Sequence, residues 1–357
     1  MTAAVGASGK TDQTATVRRR WVSLCLGLAL SAALGYLAVR SVLWGDVFVA
    51  MAHAQYRFLA LAAVGTVAMF WLRVWRWGVI LRPVARVSAW PLFAITAVGF
   101  LAIIAIPFRV GELMRPYLLR ERIGVPFPTG LATVAAERCL DGLAFAALIA
   151  LATPWLPLPE WAVPAAYALG GAYVVGLGCL VAFWLARGRL ENGLSSICRR
   201  MAPGRAPTIE RAARKFLEGL AFLPDVRSVG AAVLLSAALW LLGTAVNYVG
   251  FMALGLNLPW TAAAALQIMI TAGVLLPAAP GFVGSFQFFV VMGLRLYGVG
   301  EAVALSYAIL IHTTVLAVHI ILGVVCGLTL QIGWGFRSWR KLSEAAAVLQ
   351  TSNSSKE

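Results

Sequence analysis

The chain has 357 residues, of which 61% are apolar and only 12% are charged, and its net charge is +15. Soluble domains carry about 25% charged residues, so this composition excludes an ordinary water-soluble fold and favours a membrane protein. The basic residues lie between long apolar runs instead of on one soluble face, which argues against nucleic-acid binding and suits contact with anionic lipid headgroups.

Long apolar runs predict helices that cross the membrane. Residues 1–20 precede the first run and are predicted to be a disordered cytoplasmic N-terminus. A helix needs about 20 apolar residues to cross the hydrocarbon. The transmembrane domain, residues 21–332, therefore contains six predicted spans, at 21–44, 58–80, 125–152, 161–186, 228–254 and 300–332. The remaining residues, 333–357, are predicted to be a cytoplasmic tail.

Two further apolar stretches, at 89–106 and 261–277, each run into a Pro/Gly cluster and resume as a shorter apolar piece. Arginines flank the first stretch on both sides, whereas the second has only Arg295 between it and the next span. Under the positive-inside rule, the first predicts a re-entrant helical hairpin over 89–123 that enters from the cytoplasm. The second predicts a hairpin that enters from the outside.

The breaks in these two stretches are similar in sequence. PFRVGE begins at Pro107 and PGFVGS at Pro280, and Pro, Val and Gly match at an offset of 173 residues (280 minus 107). Opposite entry with similar breaks predicts an inverted-topology repeat, the usual plan of transporters. We assign the hinges of the two hairpins to Pro107, Gly111, Pro280, Gly281 and Gly284.

The span that begins near Val125 carries three charged residues in the segment AAERCLDG. Each charge at a helix centre costs roughly 2.5–3.5 kcal/mol on insertion scales, so Glu137, Arg138 and Asp141 need compensating partners. Arg138 and Asp141 are i,i+3 and can pair with each other. Two interpretations stay open: a polar cavity that binds phosphate, or a structural ion pair with Arg109 and Arg115 of the first hairpin.

The first hairpin contains PFRVGELMRP, where a helix breaks among charged residues. Freed backbone groups in a membrane must bond to protein or to water in a cavity, which makes Arg109, Glu112 and Arg115 candidates for a binding site. A simple bent and buried helix is the alternative. Arg73 and Arg76 lie near the end of the second span, beside Trp residues, and are interpreted as reaching the membrane interface, with a headgroup contact as the alternative.

The longest hydrophilic segment, 187–227, is strongly basic and is predicted to be cytoplasmic. Within it, 208–222 has helical periodicity and predicts an amphipathic helix on the inner leaflet. In the second half of the chain, Gln287 could contact a headgroup or only a neighbouring helix. His312 and His319 share a helical face, and proton coupling or simple hydrogen bonding would both explain them.

Together, PFRVGELMRPYLL, AAERCLDG and PAAPGFVGSFQ resemble the transmembrane domain of lysylphosphatidylglycerol synthases and its flippase-like stand-alone relatives. The resemblance covers about 21–332. It implies lipid translocation and assigns the family's first motifs to Pro107, Arg109, Gly111, Glu112, Arg115, Glu137, Arg138 and Asp141. The second half departs from the family pattern at three positions, namely Phe282 for a Gly, Gln287 for a Glu and His312 for an Arg. The aminoacyltransferase domain of the synthases is absent, so we expect no aminoacyl-lipid synthesis.

These observations predict an all-α polytopic protein of the cell inner membrane, with both termini cytoplasmic. We expect a flippase-like transporter, not an enzyme, for an anionic or polyprenyl-linked lipid. The alternatives are a non-catalytic scaffold with biosynthetic partner proteins and a membrane-embedded lipid-modifying transferase. No cofactor, metal, nucleic acid or catalytic residue is predicted. The expected substrate-binding residues are Arg109, Glu112, Arg115, Glu137, Arg138, Asp141, Gln287 and His312.

Overall fold

The computed structural model describes residues 27–106, 111–152, 162–186, 188, 206–276 and 279–330, which form α-helices and no β-strand. The all-helical prediction is therefore confirmed for these residues. In chain order the helices are α1 Gly27–Val39, α2 Trp44–Ala52, α3 Tyr56–Leu81, α4 Ala89–Ala105, α5 Met114–Ile123, α6 Phe127–Ala152, α7 Ala162–Leu185, α8 Ala206–Glu218, α9 Val226–Ala253, α10 Trp260–Leu275, α11 Ser285–Arg295 and α12 Glu301–Thr329.

Within the described part of the chain, α3, α9 and α12 are long and apolar enough to cross a membrane. Helices α1 and α2 are long and apolar enough only when they are counted together, and the chain bends by 81° between them. The described part of the predicted span 21–44 contains α1, and the chain then bends, because the backbone is extended at Leu43 and α2 leaves in a new direction. The count of six spans and the re-entrant repeat stay predictions.

Helix α3 lies at the centre of the helical packing, against α4, α9 and α12. Small residues allow the close approach of α3 and α9: a side chain added at Gly65 would collide with Val246, and one at Gly243 would meet Met69 and Gln267. Helix α3 also carries Trp77, the largest fully buried side chain among the described residues. This close packing holds the polar residues of α3 in fixed positions.

Both broken stretches contain two helices of unequal length. The first consists of α4 and α5. Residues 107–110 between them, which include the predicted hinge Pro107, lie outside the described residues. The second runs from α10 to α11 through a short 3-10 turn, Pro280–Phe282. Gly281 and Gly284 both have positive φ there, at 70° and 91°, a conformation that other residues adopt only at a cost.

Gly111 packs directly against the end of α4. A Cβ atom at this position would meet the backbone of Ala102 and Ile103, which cannot move as a flexible side chain could. We expect Gly111→Ala to destabilise the protein by about 1–3 kcal/mol, as overpacking of a core does. Thermal unfolding in detergent measures this effect. Gly178→Ala is the matched control, since a Cβ there has open space and should not lower the melting temperature.

The predicted amphipathic helix forms as α8 and packs against α6. Leu220 and Phe222, in the turn that follows α8, are buried in one apolar cluster with Ala132 and Ala136 of α6. The Thr129 hydroxyl of α6 also donates to the Lys215 carbonyl at 2.7 Å. The apolar side of this segment therefore covers the helix that carries the three central charges, while its position on a leaflet stays a prediction.

Candidate functional site

Five charged residues of α3, α5 and α6 form a continuous ion-pair ladder, in the order Arg115, Glu137, Arg76, Asp141 and Arg138. Arg115 Nη1 lies 2.6 Å from Glu137 Oε2, and Arg76 Nε lies 3.5 Å from Glu137 Oε1. Arg76 also pairs with Asp141, and Arg138 Nη2 lies 3.1 Å from Asp141 Oδ2. The charges alternate along the ladder, and each carboxylate lies between two guanidinium groups.

The half of the ladder formed by Arg115, Glu137 and Arg76 is buried. Arg76 has no exposed surface, and Arg115 and Glu137 are 3% and 1% exposed. Arg76 also donates to the Ser236 hydroxyl of α9 at 2.8 Å, and the Arg115 guanidinium lies 4.1 Å from the centre of the Trp77 ring. A charge in this environment needs such partners, because its transfer from water to an apolar interior is costly.

The interpretation of Arg76 as an interfacial residue is wrong. Helical position placed it beside Trp75, which is half exposed, but Arg76 itself faces α6 and α9. Sequence reasoning therefore missed a central member of the site. The available signal was its spacing from Arg73: the two residues are i,i+3 and share one face of α3.

A cavity of about 740 Å³ opens beside the ladder. Small-molecule sites in proteins are typically about 300–1,000 Å³. Its charged lining comes from Arg73 of α3, Glu112 before α5, and Arg138 and Asp141 of α6, and its apolar lining includes Phe145, Tyr173 and Trp240. The cavity lies between the two broken stretches, since Leu113 and Leu275 also line it. It is large enough for a phosphate-containing headgroup.

The electrostatics of this region favour an anion. Four guanidinium groups, from Arg73, Arg76, Arg115 and Arg138, face three carboxylates, from Glu112, Glu137 and Asp141, which leaves one excess positive charge. Among the described residues, no carboxylate lies within 4 Å of the Arg73 guanidinium, which instead lies 4.6 Å from the centre of the Phe100 ring. Arg73 is therefore the cation of the cavity wall with the least neutralisation.

Several buried guanidinium N–H groups find no acceptor in the described part of the chain. They include Arg138 Nε, which belongs to a cavity-lining residue, and the Nη2 groups of Arg76 and Arg115. A buried donor without an acceptor costs about 1–3 kcal/mol. A bound anion or water that accepts from Arg138 would recover that free energy.

The predicted residues of the second half form a separate polar contact. Gln287 Nε2 lies 3.0 Å from His312 Nδ1, and Gln287 Oε1 accepts from the Gly284 backbone at 2.8 Å. The His312 ring stacks on Phe286 at 4.2 Å between ring centres. Neither Gln287 nor His312 lines the 740 Å³ cavity.

The structure thus brings together Glu112, Arg115, Glu137, Arg138 and Asp141 at the cavity or directly behind it. Arg109 lies outside the described residues, and the substrate-binding role of the whole set stays a prediction. Among the described residues no group of three or more His, Cys, Asp or Glu could hold a metal ion. The charged groups that line the cavity are guanidinium and carboxylate groups.

Comparison with known sequences decides the family. The family model for the lysylphosphatidylglycerol synthase TM region matches residues 24–323. The chain belongs to this family. The match includes every helix from α1 to α11 and all residues of the ion-pair ladder, and it confirms the resemblance read from the three motifs. It also identifies the chain as a membrane protein.

A curated relative corrects one expectation. Over 345 residues the chain is 27% identical to a protein of Haloferax volcanii named glycosyltransferase AglD, an alignment that covers 88% of this chain and 55% of the relative. The chain thus spans about half the length of that relative. The name is that of an enzyme, which contradicts our expectation that this protein is not an enzyme. We withdraw that expectation.

Proposed function

We propose that this protein is a membrane-embedded transferase that binds the phosphate of a lipid-linked substrate in the cavity beside the ion-pair ladder. The single observation that carries the proposal is the pair of cavity-lining arginines, Arg73 and Arg138, with buried ion pairs behind them. Similarity to a relative named as a glycosyltransferase supports transfer of a sugar as the reaction class.

The chemistry of the site suits a phosphate substrate. A guanidinium group is always charged and offers planar N–H donors that match phosphate oxygens. The ion pair with Asp141 holds Arg138 in place, so that the N–H donors of Arg138 are oriented before the substrate binds. Because Glu137 and Asp141 are occupied by arginines, their role is to position these cations. The arginines would stabilise negative charge on the phosphate during transfer.

Translocation of the same lipid between leaflets is the second candidate function. The observation that favours it is the position of the cavity between two broken helical stretches, since transporters bind substrates where helices break. For either function, the basic segment 187–227 supports a location in the cell inner membrane with both termini in the cytoplasm. A lipid-linked substrate at this site suits both functions, so one experiment must separate transfer from movement.

The test uses purified protein in proteoliposomes that contain a polyprenyl-phosphate-linked labelled sugar, with extracted membrane lipids and proteins as acceptors. We expect a labelled product with the wild type and at least a tenfold lower rate with Arg138→Gln, because a hydrogen bond to a charged group contributes about 1.5–3 kcal/mol. Arg295→Gln is the matched control, since its ion pair with Glu301 is on the surface.

Mass spectrometry of the acceptors measures transfer, and quenching of a headgroup label from one side measures movement. Movement without any product, lost in Arg138→Gln, would replace the transferase proposal with the translocation function. If neither process depends on Arg138, the cavity is not the functional site.

A further inference from the structure

A second and smaller cavity, of about 160 Å³, adjoins the larger cavity of about 740 Å³ beside the ion-pair ladder. The two share four lining residues, Met69, Arg73, Gln267 and Ile270. From there the smaller cavity extends between α3, α9 and α12, where Phe70, Val246 and Ile311 line it. We call it the inner slot. The polar cavity and the inner slot thus meet at Arg73.

Apart from Arg73, the polar side chains of the inner slot form hydrogen bonds within the protein. The Thr66 hydroxyl donates to the Ala62 carbonyl at 2.9 Å, and Asn247 Nδ2 donates to Gln267 Oε1 at 2.8 Å. His319 Nδ1 lies 2.7 Å from the Val315 carbonyl. An apolar ligand in the slot would leave these bonds in place.

We propose that the inner slot binds the first carbons of the hydrocarbon chain attached to the phosphate, while Arg73 and Arg138 bind the phosphate itself. This inference rests on the proposed phosphate site and adds its substrate class: a phosphate monoester or diester of a hydrocarbon alcohol. The slot has room for about five molecules of liquid water by volume, at about 30 Å³ each. It therefore accepts only a few carbons, and the rest of the chain stays outside the slot.

Arg73 is suited to the boundary between the two parts of such a ligand. Its guanidinium group lies over the face of Phe100, a residue of the larger cavity, and Arg73 also lines the inner slot. Long cationic side chains commonly place their methylenes along apolar surface and their charge at a polar boundary. A phosphate bound at Arg73 would hold the adjoining carbons at the entrance of the slot.

The test compares the affinities of inorganic phosphate and of ethyl, butyl and hexyl phosphate for the detergent-purified protein, by titration calorimetry. We expect affinity to rise about fourfold for each methylene that enters the slot, from about 0.8 kcal/mol per buried methylene, and then to stop rising. Gly243→Leu should remove the rise, because Gly243 lines the slot, and should keep inorganic phosphate binding, because Gly243 does not line the larger cavity. Gly230→Leu on the same helix is the control, since it points into open space.

Val315→Ala provides the opposite change, because it widens the inner slot and should extend the rise to longer chains. This second variant keeps the inference testable if Gly243→Leu does not fold. Equal affinity of the wild type for all four phosphates would overturn the proposal that the inner slot binds hydrocarbon, and it would leave the phosphate site intact. A rise that Gly243→Leu and Val315→Ala both leave unchanged would also overturn it. Failure of the wild type to bind any of the four would overturn the phosphate site itself.

Discussion

Removal of the Glu137 carboxylate is expected to destabilise the protein more than any other single change in the ladder. Glu137 pairs with both Arg115 and Arg76, and all three side chains are buried. In Glu137→Gln these two cations lose their shared counter-charge. Breaking a buried pair by removing one partner typically costs about 3–5 kcal/mol, because the remaining charge has no compensation. Thermal or denaturant unfolding in detergent micelles measures the loss.

The matched control is Glu218→Gln, since Glu218 also pairs with a cation but on the exposed side of α8. Exposed pairs contribute about 0–1 kcal/mol, so this variant should unfold close to the wild type. The double variant Glu137→Gln, Arg115→Gln should recover part of the loss, because it also removes an unpaired cation. Equal melting temperatures for Glu137→Gln and Glu218→Gln would show that the ladder does not hold the helices together.

Replacement of Arg73 is expected to weaken phosphate binding about ten- to hundredfold. Among the described residues Arg73 has no carboxylate within 4 Å, so its charge is available to a ligand. A hydrogen bond to a charged group contributes about 1.5–3 kcal/mol, which corresponds to that range of affinity. Titration of Arg73→Gln with inorganic phosphate measures the change, and circular dichroism confirms that the helices are retained.

Arg57→Gln is a close control for this variant. Arg57 lies on the same helix and also stacks on a phenylalanine, Phe58, at 4.9 Å from the ring centre, but it is exposed and far along the helix from the cavity. It should bind phosphate as the wild type does. Similar weakening in both variants would mean that general charge, and not the cavity, determines binding.

The sequence predicted the parts of the site that depend on local spacing. Arg138 and Asp141 pair because i,i+3 residues are neighbours on any helix, and this pair forms as expected. The cost of charge in an apolar helix also indicated that Glu137 needs a cation of the first hairpin, and the structure gives it Arg115. These inferences needed only the helical geometry and the apolar surroundings.

The parts that failed depend on contacts between distant segments. Arg76 and Asp141 are separated by 65 residues, and only the packing of α3 against α6 and α9 decides that Arg76 points inward. The bend after α1 was missed for a different reason: the apolar run from 21 to 44 continues across it without proline. The expectation of a transporter and not an enzyme came from the two broken stretches and the buried charges, which a membrane-embedded transferase can also have.

The contact of α1 with the second broken stretch has a consequence for biosynthesis. The Ser31 hydroxyl accepts from the Ala279 backbone at 2.6 Å across 248 residues, and a Cβ at Gly284 would collide with the Ser31 carbonyl. Helix α1 therefore lacks this partner until the chain has been synthesised as far as residue 279. Until then the buried Ser31 hydroxyl needs a temporary acceptor or donor, such as lipid, water or an insertase. Closure of the helical assembly around α1 is thus a late event that follows synthesis of residue 284.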